Sequence, residues 1–169
     1  MPTFIALLRA VNVGGTGKLP MKDLAEMCTD LGFGDVRTYI QSGNVLFKCN
    51  LTEKSVRSRL EKVLTEKLGK SADVFVRTAA EMKAVLKANP FPDVEPAKVA
   101  VYFQSEAVAK ESLDQVVAPD GEEVRPGKRE IYIYFPIGMG RSKLKLPRAR
   151  IGTLRNINTV GKLVALAGG

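Results

Sequence analysis

The chain reads as an α+β protein made of two units, each in the order strand, helix, strand, strand, helix. Three observations carry that reading. Short apolar runs of strand type alternate with stripes at helical spacing, which separates the two kinds of element. The order occurs twice, over residues 3 to 69 and again over 98 to 168, without a residue-level repeat. In each unit a turn signal joins two strands directly, and a tight turn requires antiparallel pairing.

In the first unit, residues 3 to 11 form a mostly apolar run, expected to be a strand buried on both faces. A turn, Gly14-Gly15-Thr16-Gly17, follows, and Pro20 suits the first turn of a helix. Leu24, Met27, Cys28 and Leu31 fall at i, i+3, i+4 and i+7 on one helical face; Gly32 ends that helix and Phe33 packs back on it. Val36 to Gln41 and Asn44 to Lys48 are strands joined by Ser42-Gly43. Thr52 caps a helix whose buried stripe is Val56, Leu60, Val63, Leu64 and Leu68, stopped by Gly69. Asp73 to Arg77 is a further strand, which completes the βαββαβ order of a ferredoxin-like unit. Thr78-Ala79-Ala80-Glu81 is a capping box opening a helix over Met82, Val85 and Leu86, and Pro90 ends it.

In the second unit, Lys98 to Phe103 is a strand, and Ser105 is expected to cap a helix bearing Val108, Leu113, Val116 and Val117. Arg125-Pro126-Gly127-Lys128 places Pro and Gly at the central positions of a type II turn and leads into the alternating strand Ile131 to Phe135. Pro136 to Gly152 is expected to be an irregular basic loop, and Ile157, Val160, Leu163, Val164 and Ala167 are the stripe of a last helix. The domain expectation is a first subdomain over 1–77, a connecting helix and Pro-containing linker over 78–97, and a second subdomain over 98–169, packed as one compact unit. The architecture expected is two ferredoxin-like subdomains with mainly antiparallel sheets.

Composition narrows the chemistry. Apolar residues make up 45% of the 169, which suits a globular chain and argues against disorder. No histidine is present, which removes the commonest general base and every Ser-His or Cys-His pair. Cys28 and Cys49 suggest neither a disulfide scaffold nor a metal cluster; no metal and no cofactor are expected. No secretory signal and no run of membrane-span length is evident, so a cytoplasmic location and no membrane partner are expected. The net charge of +8 is concentrated: residues 125 to 155 hold nine basic side chains and one acid, Glu130, while the rest of the chain is balanced. Such a block favours anionic partners.

Four polar segments stand out. Asn12-Val13-Gly14-Gly15-Thr16-Gly17-Lys18 invites comparison with a P-loop and fails it, because Asn12 and Leu19 stand where that motif needs Gly and Ser or Thr. Its glycines still suit a backbone nest for an anion ahead of a helix N-terminus. Tyr39-Ile40-Gln41-Ser42-Gly43-Asn44-Val45 is first of all a hairpin, in which Gln41 and Ser42 are not needed by geometry. Gly138-Met139-Gly140-Arg141-Ser142-Lys143-Leu144-Lys145 combines close backbone approach with a bidentate cation, a hydroxyl and a point charge. Thr153-Leu154-Arg155-Asn156-Ile157-Asn158-Thr159 opens the last helix, with Asn156 or Asn158 as its cap and Arg155 as a clamp for an anion.

The stretches 7–15, 39–45, 140–143 and 155–163, in this order, resemble the signatures of the bacterial family catalogued as domain of unknown function 1697. Ile157 stands where that family often carries Trp, a swap within an apolar role. The resemblance implies a two-part α+β structure with ferredoxin-like subdomains, and it implies no activity.

Function divides three ways. A phosphorylated or other anionic small ligand would be held by Arg9, Asn12, Gly14, Gly15, Arg141, Ser142, Lys143, Arg155 and Asn158, with Gln41, Ser42, Asn44 and Asn156 as secondary candidates. Nucleic acid would lie along the basic segment 125–155, with Tyr132 and Tyr134 as stacking residues on an exposed sheet face. An enzyme without a histidine base would rely on charge stabilisation by Arg141 and Arg155.

Overall fold

The computed structural model describes residues 1–9, 19–39 and 43–168; the glycine-rich segment 10–18 and residues 40–42 of the hairpin lie outside the described residues. The chain divides into two compact units, Met1–Met82 with Leu163–Gly169, and Lys83–Lys162.

The first unit holds strands β1 (Thr3–Leu8), β2 (Gly34–Tyr39), β3 (Asn44–Lys48) and β4 (Val74–Thr78), all antiparallel in the order β2-β3-β1-β4. With helices α1 (Met21–Asp30) and α2 (Glu53–Leu68) this is the ferredoxin-like arrangement that the sequence predicts. The register sets the faces. Phe4, Ala6 and Leu8 of β1 share one face with Phe47 and Val45 of β3 and with Val76 and Val74 of β4. That face meets Leu24, Met27 and Cys28 of α1 and Val56, Leu60 and Leu64 of α2 in one apolar core. Ile5, Leu7, Leu46 and Phe75 point to the other face and are buried too, so β1 reads as a continuous apolar run rather than an alternating one.

Local signals end the elements as expected. Pro20 immediately precedes α1 with extended backbone angles. Gly32 takes φ +88°, and Phe33 returns its N–H to the Cys28 carbonyl and stacks on Phe47 at 4.3 Å between ring centres. Thr52 accepts the Ser55 N–H at 3.2 Å, and Gly69 closes α2 at φ +71°. The capping box forms in both directions: Thr78 N–H to Glu81 Oε1 at 2.8 Å, and Glu81 N–H to Thr78 Oγ1 at 3.1 Å, opening α3 (Ala79–Lys87). Burial pushes the Cys28 thiol up to about 12, which keeps it protonated and unreactive at neutral pH.

The second unit repeats the sheet and not the helices. Strands β5 (Val99–Gln104), β6 (Glu123–Pro126), β7 (Glu130–Tyr134) and β8 (Gly152–Asn156) run in the order β6-β7-β5-β8, again antiparallel throughout. The expected helix after Ser105 does not form; a short 3-10 turn over Lys110–Leu113 is all that remains. The carbonyls that would begin it are taken by side chains. Arg129 donates Nε and Nη2 to the Ser105 oxygen at 2.9 and 2.6 Å, and Gln104 donates Nε2 to the oxygens of Glu106 and Ala107 at 2.9 and 3.2 Å. Gln115 then sits at φ +59°, which no helix contains.

Two further expectations are corrected. Pro126 ends β6 and the turn falls over 127–129, with Gly127 N–H on the Glu130 carbonyl at 2.7 Å, instead of a type II turn centred on Pro126-Gly127. The segment 153–156 belongs to β8 and not to a helix start, because pairing with β5 outweighs the local cap signal. Asn156 still caps: its Oδ1 accepts the Asn158 N–H at 2.8 Å at the start of α4 (Ile157–Leu166).

The equivalent strands align a residue-level correspondence that the sequence hides. Arg77 of β4 lies opposite Ile5, and Arg155 of β8 lies opposite Val101. Both are buried, both donate Nη1 to the carbonyl of the preceding residue (2.9 and 3.0 Å), and each stands two residues before a helix.

Gly152 is the tightest point of the second sheet. A Cβ there would collide with the Phe103 carbonyl oxygen and stand 2.6 Å from the Tyr102 ring. Gly152→Ala is expected to lower stability by about 1–3 kcal/mol in urea unfolding, as overpacking against backbone does. Gly161→Ala, in α4 with no atom within 4 Å of the new Cβ, is expected to raise it by about 0.5–1 kcal/mol.

Candidate functional site

The basic segment 136–151 is ordered by its inner side. Gly138, at φ +86°, returns its N–H to Phe135, and a 3-10 turn follows over Met139–Arg141. The chain then runs extended, tied to Val117 through paired backbone bonds with Lys145 at 3.0 and 2.9 Å. Ser142, Leu144, Leu146 and Ala149 are half-buried, while Arg141, Lys143, Lys145, Arg148 and Arg150 are exposed. From 141 to 146 this is the period-two pattern of extended chain with one face packed; a turn closed by the Ala149 N–H on the Leu146 carbonyl at 3.2 Å breaks it before Arg148 and Arg150. The charge block is therefore the outer face of a segment whose inner face is apolar.

Beneath that segment lies an open cleft of 390 Å³. Its floor is Tyr102 of β5, Ile133 of β7, Leu154 of β8 and, just past β7, Phe135; its wall is Met139, Ser142, Leu144 and Leu146. Tyr102 pins the far end by donating its hydroxyl to the Arg150 carbonyl at 2.5 Å. The Ser142 hydroxyl donates to Glu122 Oε2 at 2.5 Å and accepts the Leu144 N–H at 3.1 Å, while Glu122 Oε1 accepts the Asp120 N–H at 2.9 Å. The Ser142 hydrogen bond holds the Glu122 carboxyl below its ordinary value. Sequence reasoning singled out Ser142 and not Glu122, its hydrogen-bond partner 20 residues away, because no local pattern links the two.

The predicted site residues separate. Asn12, Gly14, Gly15, Gln41 and Ser42 lie outside the described residues. Arg9 is half exposed in the first unit, 3.6 Å from Asp73, and Asn44 is fully buried there, donating Nδ2 to the Tyr39 carbonyl at 3.0 Å. Ser142 lines the cleft wall, while its neighbours Arg141 and Lys143 are exposed on the outer side of the segment. Arg155 does not join them. Its neighbour Leu154 faces the cleft, so Arg155 projects from the opposite face of the sheet with Val101 and Tyr132. There it donates Nη1 to Thr153 Oγ1 at 2.7 Å, and burial draws its guanidinium down to about 10. Asn158 is exposed and Asn156 also binds the Ala97 carbonyl through Nδ2 at 3.0 Å.

The stacking platform expected of Tyr132 and Tyr134 is also absent. Tyr132 is 2% exposed, gives its hydroxyl to the Val85 carbonyl at 2.7 Å, and is pushed up to about 12 by burial and then by Glu130. Tyr134 packs on Phe91, whose ring also receives the Arg125 guanidinium at 5.6 Å. The segment after α3 covers this face, so the aromatic rings serve packing.

The Glu122–Ser142 pair makes a pH prediction. Because the folded carboxyl is lowered, its contribution is complete above the unfolded value and is lost as pH falls through the folded value. In Ser142→Ala the Glu122 carboxyl should move back up toward the ordinary 4.5, seen by side-chain NMR titration, and stability below that pH should depend less on Glu122.

Among the described residues, no helix is long and apolar enough to cross a membrane. The fold is shared with a conserved bacterial protein, SP0830, from Streptococcus pneumoniae, at 22% identity and a TM-score of 0.78, covering 98% of each chain. No curated protein matches. The family described as "Protein of unknown function (DUF1697)" matches residues 1–132, which take in both sheets up to the middle of β7 and leave the segments at 140–143 and 155–163 beyond the match. With more than three-quarters of its length matched, from Met1 through Tyr132, this chain belongs to that family.

Proposed function

We propose that this chain binds an extended anion, a single nucleic-acid strand, along the outer edge of the segment 141–145. The observation that carries the reading is the alternation of residues 141–146, which leaves Arg141, Lys143 and Lys145 exposed and without an ion pair among the described residues. In extended backbone, residues two apart are roughly 6.6 Å apart, so these cations form a row and not a cup. A row suits a phosphodiester chain, whose charges are also serial.

A compact phosphate needs donors that converge. Arg155 lies across the sheet from Ser142, and the Ser142 hydroxyl is engaged by Glu122, so the clamp expected of those residues has less support than the row. With the tyrosines packed away, contact falls on phosphates and not on bases, and binding is expected to be tolerant of sequence. Arg150, past the turn at 147–149 and outside the row, is partly offset by Glu106 at 3.3 Å.

Affinity for a single-stranded oligonucleotide, measured across a range of salt, tests this. Three phosphate contacts give a slope of log K on log salt of about −2.1, and replacing Lys143 and Lys145 by Gln should cut it to about −0.7. Binding that ignores salt, or a slope untouched by the double substitution, would sink the proposal.

A further inference from the structure

We infer that Glu122, an acid on the inner side of the basic segment, is the positioning residue of the cation row: acting through Ser142, it sets where Arg141 and Lys143 stand. The inference rests on the nucleic-acid reading and adds to it a residue whose own charge opposes the ligand.

The bonds of the segment carry the argument. The Ser142 hydroxyl donates to Glu122 Oε2 and accepts the Leu144 N–H, so one oxygen joins the carboxylate to the chain on both sides of Lys143. The Ser142 N–H itself stays within the segment, on the Met139 carbonyl at 3.3 Å. Among the described residues, the Ser142–Glu122 bond is the one polar tie from residues 139–144 to another part of the chain. Lys145 has a fastening of its own in the paired backbone bonds with Val117. Arg141 and Lys143, on either side of Ser142, depend on the carboxylate. Glu122 is fixed in turn. It is buried, follows Gly121 at φ +81°, stands immediately ahead of β6, and takes the Asp120 N–H on Oε1 at 2.9 Å.

Electrostatics alone assigns Glu122 the opposite role. The Ser142 bond, first of all, holds its carboxyl below the ordinary 4.5, so it is ionised at neutral pH and repels a phosphate. It makes no ion pair with the exposed cations among the described residues, so it does not neutralise them. Magnitudes decide which effect wins. Screened by water and salt, one such charge changes affinity by about twofold. Ordering a few loosened residues on binding costs about tenfold. Removing the carboxylate should therefore weaken the binding of an anion.

The test is oligonucleotide affinity across salt for the full chain and for Glu122→Gln, Glu122→Ala, Ser142→Ala and the double variant Glu122→Ala with Ser142→Ala. Gln removes the charge and keeps the tie, because Ser142 Oγ both donates and accepts and either amide atom can meet it. Glu122→Gln should bind about twofold tighter, and Glu122→Ala, which loses the same charge, about tenfold weaker. Both should keep a slope of about −2.1, since every cation is still present. Ser142→Ala should match Glu122→Ala, and the double variant should be no weaker than either, because the two residues act through one bond. In the free protein the Leu144 amide should exchange its hydrogen faster in Glu122→Ala than in Glu122→Gln. If Glu122→Ala melts below the assay temperature, Ser142→Ala alone decides the matter. Wild-type binding whose slope falls with Lys143 and Lys145 replaced upholds the row; Glu122→Ala or Ser142→Ala that then binds at least as tightly as wild type overturns the positioning role alone. A wild-type chain with no salt-dependent binding overturns both.

Discussion

The constraint on which both sheets depend is a central strand with no solvent-facing side. Strand β1 is paired to β3 and β4 along its length, and Phe4 through Leu8 are all at most 3% exposed. Strand β5 is paired to β7 and β8 in the same way, and Val99 through Val101 are fully buried. A strand paired on both edges and apolar on both faces must be roofed twice, because uncovered apolar area costs about 25 cal/mol per Å². The two units meet that demand on one face by different means.

In the first unit the roof is a pair of amphipathic helices, each with its own cap and stop. A helix buries one stripe and presents its charges elsewhere, so the acidic and basic residues of α1 and α2 are scattered over a solvated face. In the second unit the side chains of Arg129 and Gln104 hold the carbonyls at 105–107 in place of a first helix, and extended chain over 142–146 covers the sheet in place of a second. Extended chain buries every second residue. The basic residues at 141, 143 and 145 then fall on one outer line, and the residues between them line a cleft. The exposed cations and the cleft lie on the two sides of that one extended segment.

The two buried arginines make the relation between the units visible. Arg77 and Arg155 hold the same register against the central strands and the same bond to the preceding carbonyl. Sequence alone gives no reason to align them, since one precedes Thr78-Ala79-Ala80-Glu81 and the other Asn156-Ile157-Asn158. At 1% and 7% exposure, neither arginine offers its charge to bulk solvent.

The first unit was legible almost residue by residue. Gly32, Gly69, Thr52 and the Thr78–Glu81 box act locally, through backbone angles and hydrogen bonds within four residues, and such signals survive without tertiary context. The α+β class, the antiparallel hairpins and the concentration of charge were readable for the same reason. The second unit required the fold. The stripe Val108, Leu113, Val116 and Val117 is compatible with a helix; what prevents one is Arg129, 24 residues from Ser105. The polar run at 153–156 reads as a cap until β5 pairs with it. The candidate residues divided similarly: Arg141, Ser142 and Lys143 stand out from composition, but only the fold could place Leu154 and Arg155 on opposite faces and join Ser142 to Glu122. Sequence by itself determined the elements whose causes are local and the amount of charge. The tertiary structure decided which way each side chain faces, because that depends on strand pairing between residues far apart in the chain.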